Sequence, residues 1–384
     1  MKGNFPLDKL KNIQTPFYFY DTGLLRNTIH AAKSAANKYN YHIHYAVKAN
    51  ANPRILSIIR ENGFGIDCVS GGEIQAALNA GFPAGKIVFA GVGKADWEIN
   101  LALDASIACF NVESIPEMEV IHSLAKAKGK TASIALRINP EINAHTHHHI
   151  TTGLKENKFG INLDCLDTTL DKLETLSHVK LTGLHFHIGS QLTDLEPFMA
   201  LCSRVNDIQK QLLKRKIIVD IINFGGGLGI DYEHPDRNPI PDFQAYFEVF
   251  YKHFPAYPHQ QIHFEPGRSI VGQSGSLISK VLYVKEGSSK NFVILDAGFT
   301  ELIRPAFYEA YHKIENLSSG EQPETYDVVG PICESSDCFA RQIDLNKTQR
   351  GDYIAIRSAG AYGEIMASQY NCRRLPAAYF SDLL

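Results

Sequence analysis

The chain has little that would tie it to a membrane, a nucleic acid or an oxidising compartment. No apolar run approaches the roughly 20 residues a membrane-spanning helix needs. The formal net charge is only −3, so there is no electrostatic reason to expect nucleic acid or an anionic membrane as a partner. The opening stretch, MKGNFPLDKLKNIQTPFYFY, has neither the apolar core nor the small-residue cleavage site of a secretory signal. Seven cysteines are scattered without a CxxC pair. An odd count without a secretion signal points to free thiols in a reducing cytosol. Cys68, Cys109, Cys165 and Cys202 sit in apolar or helical contexts and read as packing residues. Repeats, low-complexity tracts and Gly/Ser linkers are also missing.

What is present is an alternation. With 384 residues, 44% hydrophobic and 21% charged, the chain has the composition of a globular enzyme and is long enough for a barrel plus a smaller unit. Strand-like runs occur at 41–48, 64–70, 86–91, 107–112, 132–139, 180–188, 219–226 and 261–266. β-branched and aromatic residues dominate them, and Gly, Asn or Pro tends to end them. Helical patterns lie between, such as PRILSIIRENG at 53–63 and PFMALCSRVNDIQKQLLKR at 197–215. Eight such alternations predict a parallel (β/α)8 barrel. An open doubly wound sheet is the competing architecture, but GVGKAD (91–96) and GGGLGI (225–230) both miss the GxGxxG spacing such a fold needs. After about residue 275 the pattern turns to strands without helices, predicting a β-rich second domain. The expected division is a barrel over 24–274 and a β-rich domain formed from 1–23 and 275–384.

The carboxyl ends of barrel strands share one face, where chemistry concentrates. Those ends supply Lys48, Asp67, Asn111, Arg137, His187, Gly225–Gly227 and Glu265. A lysine on a loop is ordinary; one buried at a barrel mouth would lose proton affinity and become a usable amine. Asp67 and Arg137 are expected either to pair with each other or to support a site. The GGGLG segment offers bare backbone N–H groups suited to a phosphate, although a tight turn without a ligand would look the same. EPGRS (265–269) adds an acid and a base, and HIGSQ (187–191) an imidazole and a hydroxyl. Together these pieces suggest pyridoxal phosphate. Lys48 would form the Schiff base, and the glycines with Ser190 would hold the phosphate. Glu265 would keep the ring nitrogen protonated and His187 would stack on the ring. A metal barrel is the rival. His145, His147, His148 and His149 resemble ligands, but three consecutive residues cannot all aim at one ion without strain, so a solvated loop and no metal are expected.

Nine motifs then fall in order: YAVKAN, VSGGE, TTGLKENKFG, HFHIGSQ, GGGLGI, EPGRS, RPAFY, CESSD and GAYG. Over nearly its whole length the chain resembles the diaminopimelate decarboxylases, in the alanine-racemase-like group of pyridoxal-phosphate enzymes. The resemblance implies a homodimer with shared active sites and an amino-acid substrate. It implies Lys48 as the cofactor lysine and Asp67, His187, Ser190, Gly226, Gly227, Glu265, Gly267, Arg268 and Tyr362 as cofactor contacts. Arg268, Arg304 and Tyr308 would hold the carboxylate at the non-reacting centre of the substrate. Glu334 would take the amine there, with Tyr362 nearby. Cys333 would come from the neighbouring subunit as proton donor or as the residue that positions one. A related decarboxylase of ornithine, lysine, arginine or carboxynorspermidine is the nearest alternative, but a simple diamine precursor has no carboxylate for Arg304. A racemase would lack CESSD, and a non-catalytic relative would be expected to lose Lys48 or Cys333.

Overall fold

The computed structural model describes residues 5–142 and 158–384, so the histidine-rich segment at 145–149 lies outside the described residues. The chain divides into two compact units. One comprises Ile29–Gly229 and Asp242–Gly267; the other comprises the chain up to Thr28, Ile230–Pro241 and Arg268–Leu384.

The first unit is a closed barrel of eight parallel strands. They are His42–Ala46, Gly65–Cys68, Ile87–Phe89, Cys109–Val112, Ala132–Arg137, Val179–His185, Ile221–Asn223 and Gln261–Phe264. The last closes on the first through His42 opposite His263 and Ile43 opposite Phe264. Each expected strand run thus overlaps one barrel strand, seven of them containing it whole and the run at 180–188 starting one residue late. Several of the helices between them start where a side chain satisfies a first-turn N–H group. Asn52 Oδ1 accepts from Arg54 N ahead of Pro53–Glu61. Ser70 and Ser114 do the same for Gly71–Asn79 and Ile115–Ala127, each with a glutamate three residues later. Each such cap is worth about 1 kcal/mol. The barrel is packed on one side by an aromatic group in which Phe224 and Phe264 each lie 4.7 Å from Phe250, ring centre to ring centre. Such contacts add about 0.5–1.5 kcal/mol each beyond area burial.

The second unit is built on an eight-stranded sheet around Gly275–Glu286. That strand pairs antiparallel with Phe17–Tyr20, with Asn291–Leu295 and with Tyr353–Ile356. Phe17–Tyr20 also runs parallel to Ala377–Phe380, which ties both ends of the chain into one sheet. Sequence patterning missed the strand Cys338–Asn346, whose CFARQIDLN mixes charges with apolar residues because much of it faces solvent. Among the described residues no helix is long and apolar enough to cross a membrane. Cys68, Cys109 and Cys202 are buried as expected, but Cys165 is exposed. It ends a short 3-10 turn, Leu163–Cys165, that lies outside the core.

Candidate active site

Lys48 lies in a single 3-10 turn, Val47–Ala49, directly after the first barrel strand. Its side chain is 38% exposed, not buried, and Nζ is 3.7 Å from Oδ2 of the fully buried Asp67. Among the described residues neither carboxylate oxygen of Asp67 has a hydrogen-bond partner. Burial, and then the charge of Glu265, push the Asp67 carboxyl well above the usual range.

The expected Asp67–Arg137 pair does not form. Arg137 Nη1 instead meets Glu113 Oε1 at 2.7 Å. The cause is strand order: Val112 lies opposite Leu136 on the adjacent strand, so Glu113 arrives beside Arg137 while Asp67 ends a strand further round the barrel. Glu113 also receives Gly91 N and Gly160 N. It is a residue that sequence reading missed.

Glu265 is buried and fully engaged. His185 Nε2 lies 2.8 Å from Oε2, and Asn223 Nδ2 donates to Oε1 at 2.7 Å. Asn111 Nδ2 stands at 3.4 Å from the same Oε1. Burial opposes the charge, but His185, by charge and hydrogen bond, and then Lys48 outweigh it and hold the carboxyl below the usual range. Glu265 is therefore an anion built into the barrel. His185 and Asn223 went unnoticed in the sequence, although His185 is two residues before His187, on the same side of an extended run.

The glycine loop is shaped by its lack of side chains. Gly225 and Gly227 have φ of +71° and +115°. A Cβ on Gly225 would lie 2.2 Å from the Phe186 carbonyl oxygen, and one on Gly226 would lie 2.3 Å from that of Glu265. The loop is zipped to the HIGSQ loop, since Leu192 N donates to Gly227 O and Gly229 N donates to Leu192 O. Gly189, next to Ser190, also lies against this loop, its carbonyl oxygen 3.0 Å from where a Cβ on Gly227 would be. Gly226 N faces His187 Nδ1 at 3.4 Å. Burial and then Lys48 and Arg137 hold the His187 pKa well below 6.5, so that the ring is neutral. Gly267 lets the EPGR turn pack on the first strand: its Cβ would meet the Cβ atoms of Ala49 and Ala46 at 3.0 and 3.2 Å.

The second unit carries a different cluster. Arg304 and Tyr308 are one turn apart on the short helix Arg304–Tyr308. The Arg304 guanidinium carbon lies 5.8–5.9 Å from the ring centres of Tyr232, Tyr308 and Tyr362. Arg268 lies 4.9 Å from the Tyr362 ring, and its Nη1 donates to Tyr232 Oη at 2.5 Å. Both arginines are buried, at 5% and 8% exposure for Arg268 and Arg304. Arg304 donates Nε–H to His312 Nε2 at 3.3 Å. Among the described residues its terminal nitrogens have neither a carboxylate nor any other hydrogen-bond partner. Tyr362 holds φ at +57°, a strained conformation for a bulky residue, of the kind that clusters at functional sites. Tyr232 and His312 carried no sequence signal beyond their residue types.

Cys333 and Glu334 are exposed on a loop anchored from within. The buried Asp337 carboxylate accepts Ile332 N and Phe299 N, both at 2.7 Å. Glu334 takes a hydrogen bond from the exposed Tyr370, which raises that phenol's pKa. No group of three or more metal-ligating side chains comes together among the described residues.

A family model for the pyridoxal-binding domain of pyridoxal-dependent decarboxylases matches residues 23–272. The chain belongs to this family of decarboxylases. Its relatives narrow the class: a diaminopimelate decarboxylase of Bacteroides thetaiotaomicron is 63% identical over the full length of both chains. That of Haemophilus influenzae is 42% identical over 99% of this chain and 91% of its own. A crystal structure of the Helicobacter pylori diaminopimelate decarboxylase complexed with L-lysine superposes with a TM-score of 0.91. It is 41% identical and covers 97% of this chain and 93% of its own. A lysine/ornithine decarboxylase of Vibrio vulnificus, 20% identical with a TM-score of 0.84, shares the fold.

Pyridoxal phosphate, the cofactor of this family, suits the barrel residues on three counts. Among the described residues the two buried carboxylate oxygens of Asp67 have no hydrogen-bond partner, and they lie beside an accessible lysine. The glycine loop leaves no room for a Cβ. Glu265 is held as an anion, as a protonated ring nitrogen requires.

Proposed function

We propose that the chain decarboxylates meso-2,6-diaminopimelate to L-lysine and CO2, the last step of lysine synthesis. Full-length identity to enzymes of that activity supports the reaction. The observation that carries the substrate is Arg304, a buried guanidinium whose terminal nitrogens have no protein partner among the described residues. A cation in that state is costly unless a ligand carboxylate completes it. Ornithine, lysine or arginine, which carry a single carboxylate, would lose it in the reaction and have none for Arg304. Diaminopimelate has a second.

The roles then divide by residue. Lys48 would hold the cofactor covalently, with Asp67 beside its amine. Gly226, Gly227, Ser190, Gly267, Arg268 and Tyr362 would hold the phosphate side, and His187, neutral, would lie on a ring face. Glu265 would keep a ring nitrogen protonated. Bound, pyridoxal phosphate supplies the electron sink for the pair released when the C–C bond to CO2 breaks. Arg304, Arg268 and Tyr308 would orient the far carboxylate, a forked cation meeting a planar anion. Glu334 would take the far ammonium, with Tyr362 nearby. Cys333 Sγ would hold or position the proton that replaces CO2 on the reacting carbon.

We also place the enzyme in the cytoplasm, as a homodimer with shared sites. The barrel over 24–274 would carry the cofactor, and the β-rich domain from 1–23 and 275–384 would supply the dimer contacts and the Cys333–Glu334 loop to the neighbouring subunit. The deciding experiment is product analysis after offering meso-diaminopimelate, ornithine, lysine and arginine separately to the enzyme. L-lysine from diaminopimelate and no diamine from the other three is the expected result. Efficient release of putrescine or cadaverine would overturn the proposal.

A further inference from the structure

His312 has no role in the assignments above, yet among the described residues it makes the one hydrogen bond to the Arg304 side chain. It is 2% exposed, between the helix Arg304–Tyr308 and the strand Ile314–Asn316. Its Nδ1 is 2.9 Å from the Arg357 carbonyl oxygen. A carbonyl only accepts, so Nδ1 must carry a hydrogen. Its Nε2 faces Arg304 Nε, which only donates, so Nε2 must present a lone pair. Both neighbours therefore demand the same neutral tautomer. Burial, and then the charge of Arg304, keep the ring neutral by lowering its pKa to about 3. Arg268 adds to that effect.

The frame behind the ring is rigid. Arg357 Nη2 pairs with Asp236 at 2.7 Å and Nη1 with Glu315 at 2.5 Å, and its backbone N donates to Lys313 O. Tyr232 meets the His312 ring edge-on, with centroids 5.2 Å apart at 85°. The imidazole has no freedom to swing, and the guanidinium edge that bonds to it shares that restriction. A planar guanidinium held at Nε has its plane fixed, which leaves the two terminal nitrogens as a pre-set fork. The tyrosine rings stabilise the charge without directing it, because a π face has no preferred in-plane angle.

We infer that His312 is the positioning residue of the carboxylate reader: it accepts the Arg304 Nε–H and sets the plane in which the terminal nitrogens of Arg304 meet a ligand carboxylate. This rests on Arg304 reading the far carboxylate of the substrate. A further consequence is selectivity, since a misaligned fork would weaken carboxylate ligands and spare those without one.

The test uses the holoenzyme and two inhibitors, L-lysine, which keeps the far carboxylate, and cadaverine, which lacks it. His312→Asn retains a donor for Arg357 O but is too short to accept from Arg304, whereas His312→Gln can reach. His312→Asn is expected to weaken L-lysine about tenfold, the loss of roughly one directed hydrogen bond. Cadaverine should change less than about twofold by the same reasoning, because it makes no use of the fork. The KM for diaminopimelate should rise with little change in kcat, and His312→Gln should recover most of the loss. If His312→Asn does not accumulate as a folded, yellow protein, His312→Leu provides the same truncation of the acceptor. Equal weakening of both inhibitors, or unchanged L-lysine binding, would overturn the inference. Arg304→Ala separates the two levels of the argument. If it leaves L-lysine binding intact, the substrate reading fails. If it weakens L-lysine while both shortened His312 variants do not, only the role of His312 fails.

Discussion

The Glu265 cluster in the barrel and the Arg304 cluster in the β-rich unit treat a buried charge in opposite ways. Around Glu265 the protein completes the charge itself. His185, Asn223 and Asn111 surround one carboxylate, which is then a fixed source of field. Around Arg304 the described residues supply three aromatic faces and one neutral acceptor but no anion. Since a buried charge is tolerated only when paired, the first arrangement suits holding a proton on a bound group and the second suits receiving a ligand's charge. The comparison also explains why both clusters contain histidine. An imidazole can be made a donor or an acceptor by what its other nitrogen touches.

The largest effect should follow from removing the built-in anion. Glu265→Gln keeps the shape but removes the charge, and kcat should fall about 10²–10³-fold, or ~3–4 kcal/mol. Steady-state kinetics on cofactor-saturated enzyme measures this, and activity within threefold of wild type would make Glu265 a structural residue. Arg304→Ala opens the receptive side. It should keep its colour and lose about 2–4 kcal/mol in kcat/KM for diaminopimelate. Near-normal kinetics would mean that Arg304 does not face the substrate.

A smaller effect concerns neutral histidines in both units. Burial lowers the pKa of His312 to about 3, and within the barrel that of His44 to about 4 and of His263 to about 2. Each ring takes up a proton below about pH 6.5 when unfolded but not when folded. The unfolded chain therefore binds more protons, and stability falls as pH falls from about 6.5 to 4. Each ring contributes up to about 1.4 kcal/mol per pH unit to that slope. Denaturant titrations across this range should show His312→Gln flattening the slope by about one proton. An unchanged slope would mean that His312 is protonated in the folded state.

The mildest test asks whether barrel and loop residues meet across subunits. Lys48→Ala and Cys333→Ala should each be nearly inactive. With shared sites, a mixed dimer has one doubly damaged site and one intact, so random exchange restores about a quarter of the sites. Recovery of activity approaching that fraction is expected. None, with exchange shown independently, would place Cys333 in the site of its own subunit or outside catalysis.

Much of this molecule is written in local pattern. Period-two and helical patterning, with Gly and Pro as punctuation, placed eight barrel strands and brought Lys48, Asn111, Arg137 and Glu265 to strand ends. The reading of strands without helices after about residue 275 gave no sign of the short helix that sets Arg304 and Tyr308 one turn apart. The run of glycines did announce a loop that side chains cannot enter. These are properties of neighbours in the chain. What completes a charge is not. Arg137 pairs with Glu113 and not Asp67 because strand order and register decide which strand ends adjoin. Glu265 finds partners 154, 42 and 80 residues away at Asn111, Asn223 and His185. His312 becomes an acceptor because the carbonyl of Arg357, 45 residues on, takes its other nitrogen. The sequence supplied the ionisable groups and the elements that carry them. Only the closed barrel and the folded sheet determined which of those groups meet, because a charge inside a protein is settled by contacts that chain separation does not encode.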